Sequence, residues 1–309
     1  MQIPSKIIKW LLDSDPSIKW QVQKDLLNSH KLEYKKTREQ ISKKGWGAEL
    51  LSYQDEDGKW NGGLYGRKWI STTYTMLQLR RLGLSPKNLQ AKKACKILLE
   101  KGFYSDNGIN YFKSLDHSET CVTGMILSLL SYFNYEDERL EKIAGFLISQ
   151  QMKDGGWNCE SFNGATHSSF HTTISVLEGL REFEKFNASF SSEIGKCYKK
   201  ALEFLYQHKL YKSHRTNKIV DEKMTRFSFP PRWRYDVMRA LDFLQEIDAE
   251  YDERISDAIE LLIKKQNKDG TWNLQQKYSG LVWFDMEKPG KPSKWNTLRG
   301  WRILKWYHG

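Results

Sequence analysis

The dipeptide spacing Glu119-x-Cys121 and, fifty residues after the cysteine, His171 offer a carboxylate, a thiol and an imidazole. Those three groups suit zinc, and three protein ligands leave a fourth position open for water or substrate. Such an ion would act as a Lewis acid on a bound nucleophile or water. A rival set is Cys159, His167 and His171, whose histidines are four apart, one helical turn. Without metal, Glu119 or Asp236 would serve as acid–base partner of His167 or His171, with Tyr235 beside them. Plainer roles stand next to these. Cys121 could be a small buried residue, His171 a helix-start residue bonded to a carboxylate, and Asp236 a helix-start carboxylate bonded to Arg232 or Arg239.

These residues fall in five short stretches dense in polar and aromatic side chains: Trp69–Tyr74, Asp116–Thr123, Thr166–Thr172, Arg232–Asp236 and Ser293–Asn296. Each precedes or opens an apolar segment. Trp69, Tyr74, Asp116, Arg232, Trp233 and Trp295 are the candidate substrate-binding residues.

The elements that would position them repeat. Gln-x-x-Asp-Gly-x-Trp-Asn occurs at Gln54–Asn61, Gln151–Asn158 and Gln266–Asn273, with a degraded copy at Asp106, Gly108, Ile109 and Asn110. The glycines at 58, 108, 155 and 270 give a period near fifty, with one copy lost in the last gap. Each unit has a first helix (91–101, 136–150, 199–207, 255–265), an Asp-Gly turn, then a second helix (72–82, 119–133, 171–182, 235–245, 296–306). Apolar residues recur at i, i+3, i+4, and no sustained strand alternation is found. A shorter first unit has helices at 3–12 and 18–27. The second helices are less charged, so they are expected to be buried on both faces and the first helices on one. Six such hairpins in 309 residues predict an all-α single domain, 1–309, closed as an (α/α)6 toroid. The glycine suits the left-handed turn after a helix. The motif's glutamine can bond backbone at the turn, and Trp60, Trp157 and Trp272 can pack beneath it.

Composition excludes several classes. The longest apolar runs fall far short of the roughly 18 residues of a membrane helix. The residues Met1-Gln2-Ile3-Pro4 carry no basic and apolar leader pattern, so no secretory signal is expected. The four cysteines, Cys95, Cys121, Cys159 and Cys197, form no C-x-x-C and suit a reducing compartment, so a cytoplasmic location is expected. Net charge is +11, from 49 Lys and Arg against 38 Asp and Glu, but the lysines are interleaved with acids along helices. No nucleic-acid partner is expected from that pattern. Two stretches, 211–231 and 275–294, lack periodicity and carry aromatics, as ordered functional loops do.

The Gln-x-x-Asp-Gly-x-Trp repeat resembles the QW motif of squalene-hopene and oxidosqualene cyclases. The hairpins resemble the α/α toroid that those cyclases share with the β subunits of protein prenyltransferases, and the likeness runs along nearly the whole chain. The order Glu119-x-Cys121, Gly155-Gly156, Phe170-His171-Thr172 is similar to the prenyltransferase zinc segment. That resemblance implies zinc on Glu119, Cys121 and His171. Here a glutamate stands in place of that family's aspartate, Val122 in place of its tyrosine, and its upstream basic pair falls on Lys113 and Asp116. The Asp-x-Asp-Asp acid of class II cyclases has no counterpart. The implied function is a cyclase- or prenyltransferase-like cavity enzyme acting on an isoprenoid or other small molecule, with zinc assistance. Two alternatives remain: a carbohydrate-active (α/α)6 enzyme using carboxylate and histidine acid–base groups, or a non-catalytic ligand-binding toroid.

Overall fold

The computed structural model describes residues 2–309, and the chain is predominantly helical. In order the helices are α1 Ser5–Leu12, α2 Pro16–Gln21, α3 Lys31–Arg38, α4 Gly45–Ser52, α5 Thr72–Leu82, α6 Leu89–Gly102, α7 Thr120–Tyr132, α8 Arg139–Ser149, α9 Phe170–Phe186, α10 Ser191–Gln207, α11 Val237–Glu246, α12 Ser256–Lys264 and α13 Lys294–His308. One antiparallel pair, β1 Trp272–Asn273 and β2 Pro292–Ser293, puts Trp272 opposite Ser293. No helix among the described residues is long and apolar enough to cross a membrane. The chain divides into two compact units. One holds Met1–Ser52, Arg81–Ser85 and Tyr206–Gly309; the other holds Tyr53–Arg80 and Pro86–Leu205.

The helices expected from periodicity are present, most with ends shifted by a few residues; α10 begins at Ser191 rather than 199, and the stretch expected as helix 18–27 is α2 followed by a π-helix, Val22–Leu26. Two more, α3 and α4, were not anticipated. α4 supplies the first helix ahead of the Gln54 turn. Its Gly45-Trp-Gly-Ala start carries little apolar rhythm, which hid it. α3 buries none of its residues. Side chains hold it instead: Gln23 Nε2 donates to Glu33 at 2.8 Å, and Arg38 Nε donates to Gly83 O at 2.7 Å.

The repeated turn works as a clamp. Gln54 and Gln151 Nε2 donate to Gly58 O and Gly155 O at 2.8 and 2.7 Å. The same amides reach Gln90 O and Cys197 O at 3.0 and 2.9 Å, tying each turn to the first helix of the following unit, α6 and α10. Gln266 makes a longer bond, 3.5 Å, to Gly270 O. The backbone N–H groups of Trp60, Trp157 and Trp272 each donate to a threonine hydroxyl at 3.0 Å, on Thr72, Thr173 and Thr297. Ile109 of the degraded copy does the same with Thr123 at 3.0 Å. All three tryptophans are fully buried. Gly155 has a φ of +99°, and a Cβ there would lie 2.3 Å from Lys200 O, so only glycine fits.

In the second unit, α7 and α9 are buried along almost their whole length, whereas α8 buries one stripe, Leu140, Ile143, Ala144, Phe146 and Leu147. This is the difference expected between second and first helices. The α7–α9 contact is close because two glycines meet. A Cβ on Gly179 would sit 2.4 Å from Gly124 O, and one on Gly124 2.8 Å from Ser175 O.

In the first unit, α13 holds the N-terminal helices. Arg302 Nη1 bonds Gln21 Oε1 at 3.1 Å and Asp25 Oδ2 at 3.0 Å, and its Nε bonds Asp242 Oδ1 at 2.6 Å. Arg299 Nε joins Asp242 Oδ2 at 3.2 Å. Burial pushes the Asp242 carboxyl up, but Arg302 and Arg299 outweigh it and hold it below its ordinary value.

Candidate functional site

The start of α7 is built by the turn before it. Asp106 accepts from the Ser118 backbone N–H at 2.7 Å and from the Ser118 hydroxyl at 2.6 Å. Asp154 grips Ser168 in the same way ahead of α9. The next residue is the helix N-cap in both cases. On α9 it is Ser169, whose Oγ accepts from Thr172 N at 3.5 Å. On α7 it is Glu119, whose side chain makes no cap bond. Glutamate is too long to turn back on its own helix as serine does. Its carbonyl accepts from Thr123 N at 2.8 Å, and its Oε2 is buried with no hydrogen-bond partner. Burial, then the charge of Glu160, raises the Glu119 pKa, against weaker opposite pulls from His117 and Lys68.

Two residues on, the Cys121 backbone N–H donates to Cys159 Sγ at 3.2 Å. Thr172 Oγ1 donates to the same sulfur at 3.5 Å. The neighbouring Cys121 side chain is the main cause that pulls the Cys159 thiol below its ordinary value, against burial. The Cys159 side chain, with burial, pushes Cys121 well up.

An aromatic group completes the cluster. Tyr74 OH donates to Tyr65 OH at 2.9 Å, with ring centroids 5.2 Å apart. Trp69 meets Tyr74 edge-on at 4.8 Å, and Phe112 meets Tyr65 edge-on at 5.4 Å. Burial is the main cause that raises the Tyr65 phenol, and the neighbouring Tyr74, Cys121 and Glu119 add to it. Trp69 and Tyr74 are buried. Asp116 is fully exposed and bonds His117 Nδ1 at 3.0 Å, and His117 stacks on Phe162 at 4.2 Å.

Of the expected residues, the structure therefore gathers Glu119, Cys121, Cys159, Trp69 and Tyr74, and adds Tyr65. His167 is exposed, and its carbonyl accepts from Asn158 Nδ2 at 2.7 Å. His171 is half-buried in the first turn of α9. Among the described residues, no three His, Cys, Asp or Glu side chains converge as metal ligands. Glu119, Cys121 and His171 thus do not stand as a preformed zinc set, nor do Cys159, His167 and His171. Cys121 is turned to Cys159 instead.

The remaining candidates lie in the first unit. Asp236 is the N-cap of α11. It accepts from Arg239 N at 2.8 Å, Ser228 N at 3.1 Å and Ser228 Oγ at 2.6 Å. Tyr235 is fully buried and donates to Leu210 O at 2.5 Å. Arg232 has a left-handed φ of +58°. The Arg234 guanidinium lies 4.2 Å above the Trp233 ring. Trp295 is buried and stacks on Phe229 at 4.1 Å. Sequence reasoning missed Glu287, which accepts from Ser293 Oγ at 2.5 Å and Lys294 N at 2.6 Å and so secures the start of α13. The two aperiodic stretches pair with each other: Gln275 N donates to Phe227 O at 3.0 Å, and Gln275 Oε1 accepts from Phe227 N at 3.0 Å.

Tyr65 was not found because the glycine-rich run 62–66 has no periodicity. A glutamate in a slot filled elsewhere by Ser169, Asp236 and Ser293 was the readable signal at 119. No protein-family model and no curated protein matches this chain.

Proposed function

We propose that this chain is a cavity enzyme of α/α-toroid type that acts on an isoprenoid-like or similarly apolar small molecule, with Glu119 as its acid–base group. The paired helices, the repeated turn and the hold of α13 on the N-terminal helices support the toroid. The observation that carries the function is the buried, unpartnered carboxyl oxygen of Glu119 beside the Tyr65–Tyr74 pair. A carboxyl with a raised pKa keeps its proton at higher pH than an exposed one and can donate it. Rings of Tyr65, Trp69 and Tyr74 give an apolar wall, and their π-faces favour developing positive charge. Glu119 would protonate the substrate and take the proton back. A cytoplasmic setting fits four free cysteines.

The test is a panel of polyprenyl alcohols, diphosphates and hydrocarbons, with binding read by tryptophan fluorescence and turnover by mass spectrometry of products. Binding to wild-type and Glu119→Gln protein, with turnover by wild type alone, is the expected result. Binding only to oligosaccharides would overturn the reading, as would unchanged turnover in Glu119→Gln.

A further inference from the structure

Of the four cysteines, two are buried singly and two are paired. Cys95 is fully buried in α6, and its thiol has only the distant Leu129 O, at 3.9 Å. Cys197 is buried in α10. Cys121 and Cys159 are half-buried, and neither is in a disulfide. Two donors converge on one sulfur, the Cys121 N–H at 3.2 Å and the Thr172 hydroxyl at 3.5 Å. The N–H belongs to the first turn of the thirteen-residue helix α7, where unpaired amides favour negative charge. A sulfur so surrounded is stabilised as thiolate, the form that attacks electrophiles. The second thiol, on the residue whose backbone N–H bonds that sulfur, is placed to resolve the product.

We infer that Cys159 and Cys121 form a hydroperoxide-reactive dithiol, Cys159 attacking and Cys121 resolving. The Cys159 thiolate attacks the terminal oxygen of the hydroperoxide. An S–O bond forms, the O–O bond breaks, and the alkoxide leaves as alcohol after taking a proton. Cys159 is then a sulfenic acid. The Cys121 sulfur attacks it, the S–S bond forms, and the Cys121 proton leaves with the hydroxyl as water. Two thiols lose two electrons and the hydroperoxide gains them, giving one disulfide, one alcohol and one water. A small dithiol restores the pair. This activity is independent of the acid–base reading of Glu119.

The experiment treats full-length reduced protein, in chelator so that no metal masks the thiols, with stoichiometric hydrogen peroxide. Remaining thiols are alkylated and the protein is mapped by mass spectrometry. Expected are a Cys121–Cys159 cross-linked peptide, free Cys95 and Cys197, and full reversal by dithiothreitol. Cys121→Ser should stop at a sulfenic acid on Cys159 that dimedone traps, and Cys159→Ser should react at least about tenfold more slowly. Thr172→Val should slow oxidation a few-fold without changing the product. Circular dichroism of each variant checks that it is folded, and the wild-type map stands whether or not a variant folds. Oxidation spread over Cys95 and Cys197, a dimedone adduct on Cys121 in place of Cys159, or no cross-link in native wild-type protein would overturn the assignment.

Discussion

Two acids sit at the starts of buried helices, and they are spent differently. Asp236, ahead of α11, is surrounded by the Arg239 N–H, the Ser228 N–H and the Ser228 hydroxyl. These donors tie the loop before it to the helix. Glu119, ahead of α7, holds the same slot and caps nothing, and one of its oxygens is buried without a partner. A satisfied carboxylate is structure; a withheld one costs stability and keeps reactivity, a pattern typical of functional sites. The lesson extends to α9, where the same turn geometry places Ser169, an ordinary cap. Among the starts of α7, α9, α11 and α13, α7 alone lacks a side-chain cap bond, and it does so beside the thiol pair.

The sharpest test of this contrast is paired substitution. Glu119→Gln should lower turnover by about 10²- to 10⁴-fold, the range for loss of an acid–base group, and leave the denaturation midpoint nearly unchanged on the acid side of its raised pKa, where the carboxyl holds its proton. Asp236→Ala should do the reverse, costing about 2 kcal/mol of stability through the lost cap, read by urea unfolding. Equal effects of both changes on stability would erase the distinction. A gentler probe is Glu119→Ser, which installs a normal cap. It should raise stability by about 0.5–1 kcal/mol while abolishing turnover, and a loss of stability would show that Glu119 already serves the helix.

The smallest effects are in pH. Glu119 has a folded pKa above its unfolded value, so its stabilising contribution is present at low pH and is lost as pH rises through the raised value. Activity that needs its proton should fall over that same window. Asp242 is opposite. Despite burial, Arg302 and Arg299 hold it below the ordinary value, so its contribution is complete above about pH 4 and is lost as pH falls through the depressed value. Urea midpoints across pH 2–8 should therefore show Asp242→Asn flattening the acid limb and Glu119→Gln flattening the limb above the ordinary glutamate range. A common loss in both variants would mean that neither carboxyl is set by the neighbours named here.

The sequence by itself determined the helical class, the fifty-residue repeat, the turn chemistry and most helix positions. These are local matters: glycine takes the left-handed turn, tryptophan and leucine need burial, and apolar spacing of 3.6 allows one solution. It also placed Glu119, Cys121, Trp69 and Tyr74 at the heads of helices. Tertiary structure alone decided what those residues meet. Cys121 and Cys159 are separated by 38 residues and meet where the turn before α9 lies against the start of α7: Cys121 N–H donates to Cys159 Sγ, and Cys159 N–H donates to Thr172 Oγ1 of α9. His171 joins no converging ligand set among the described residues. Whether a carboxylate is capped or withheld depends on donors brought from distant segments. Ser228 reaches Asp236 through a loop with no periodicity to read, and no donor reaches the buried oxygen of Glu119.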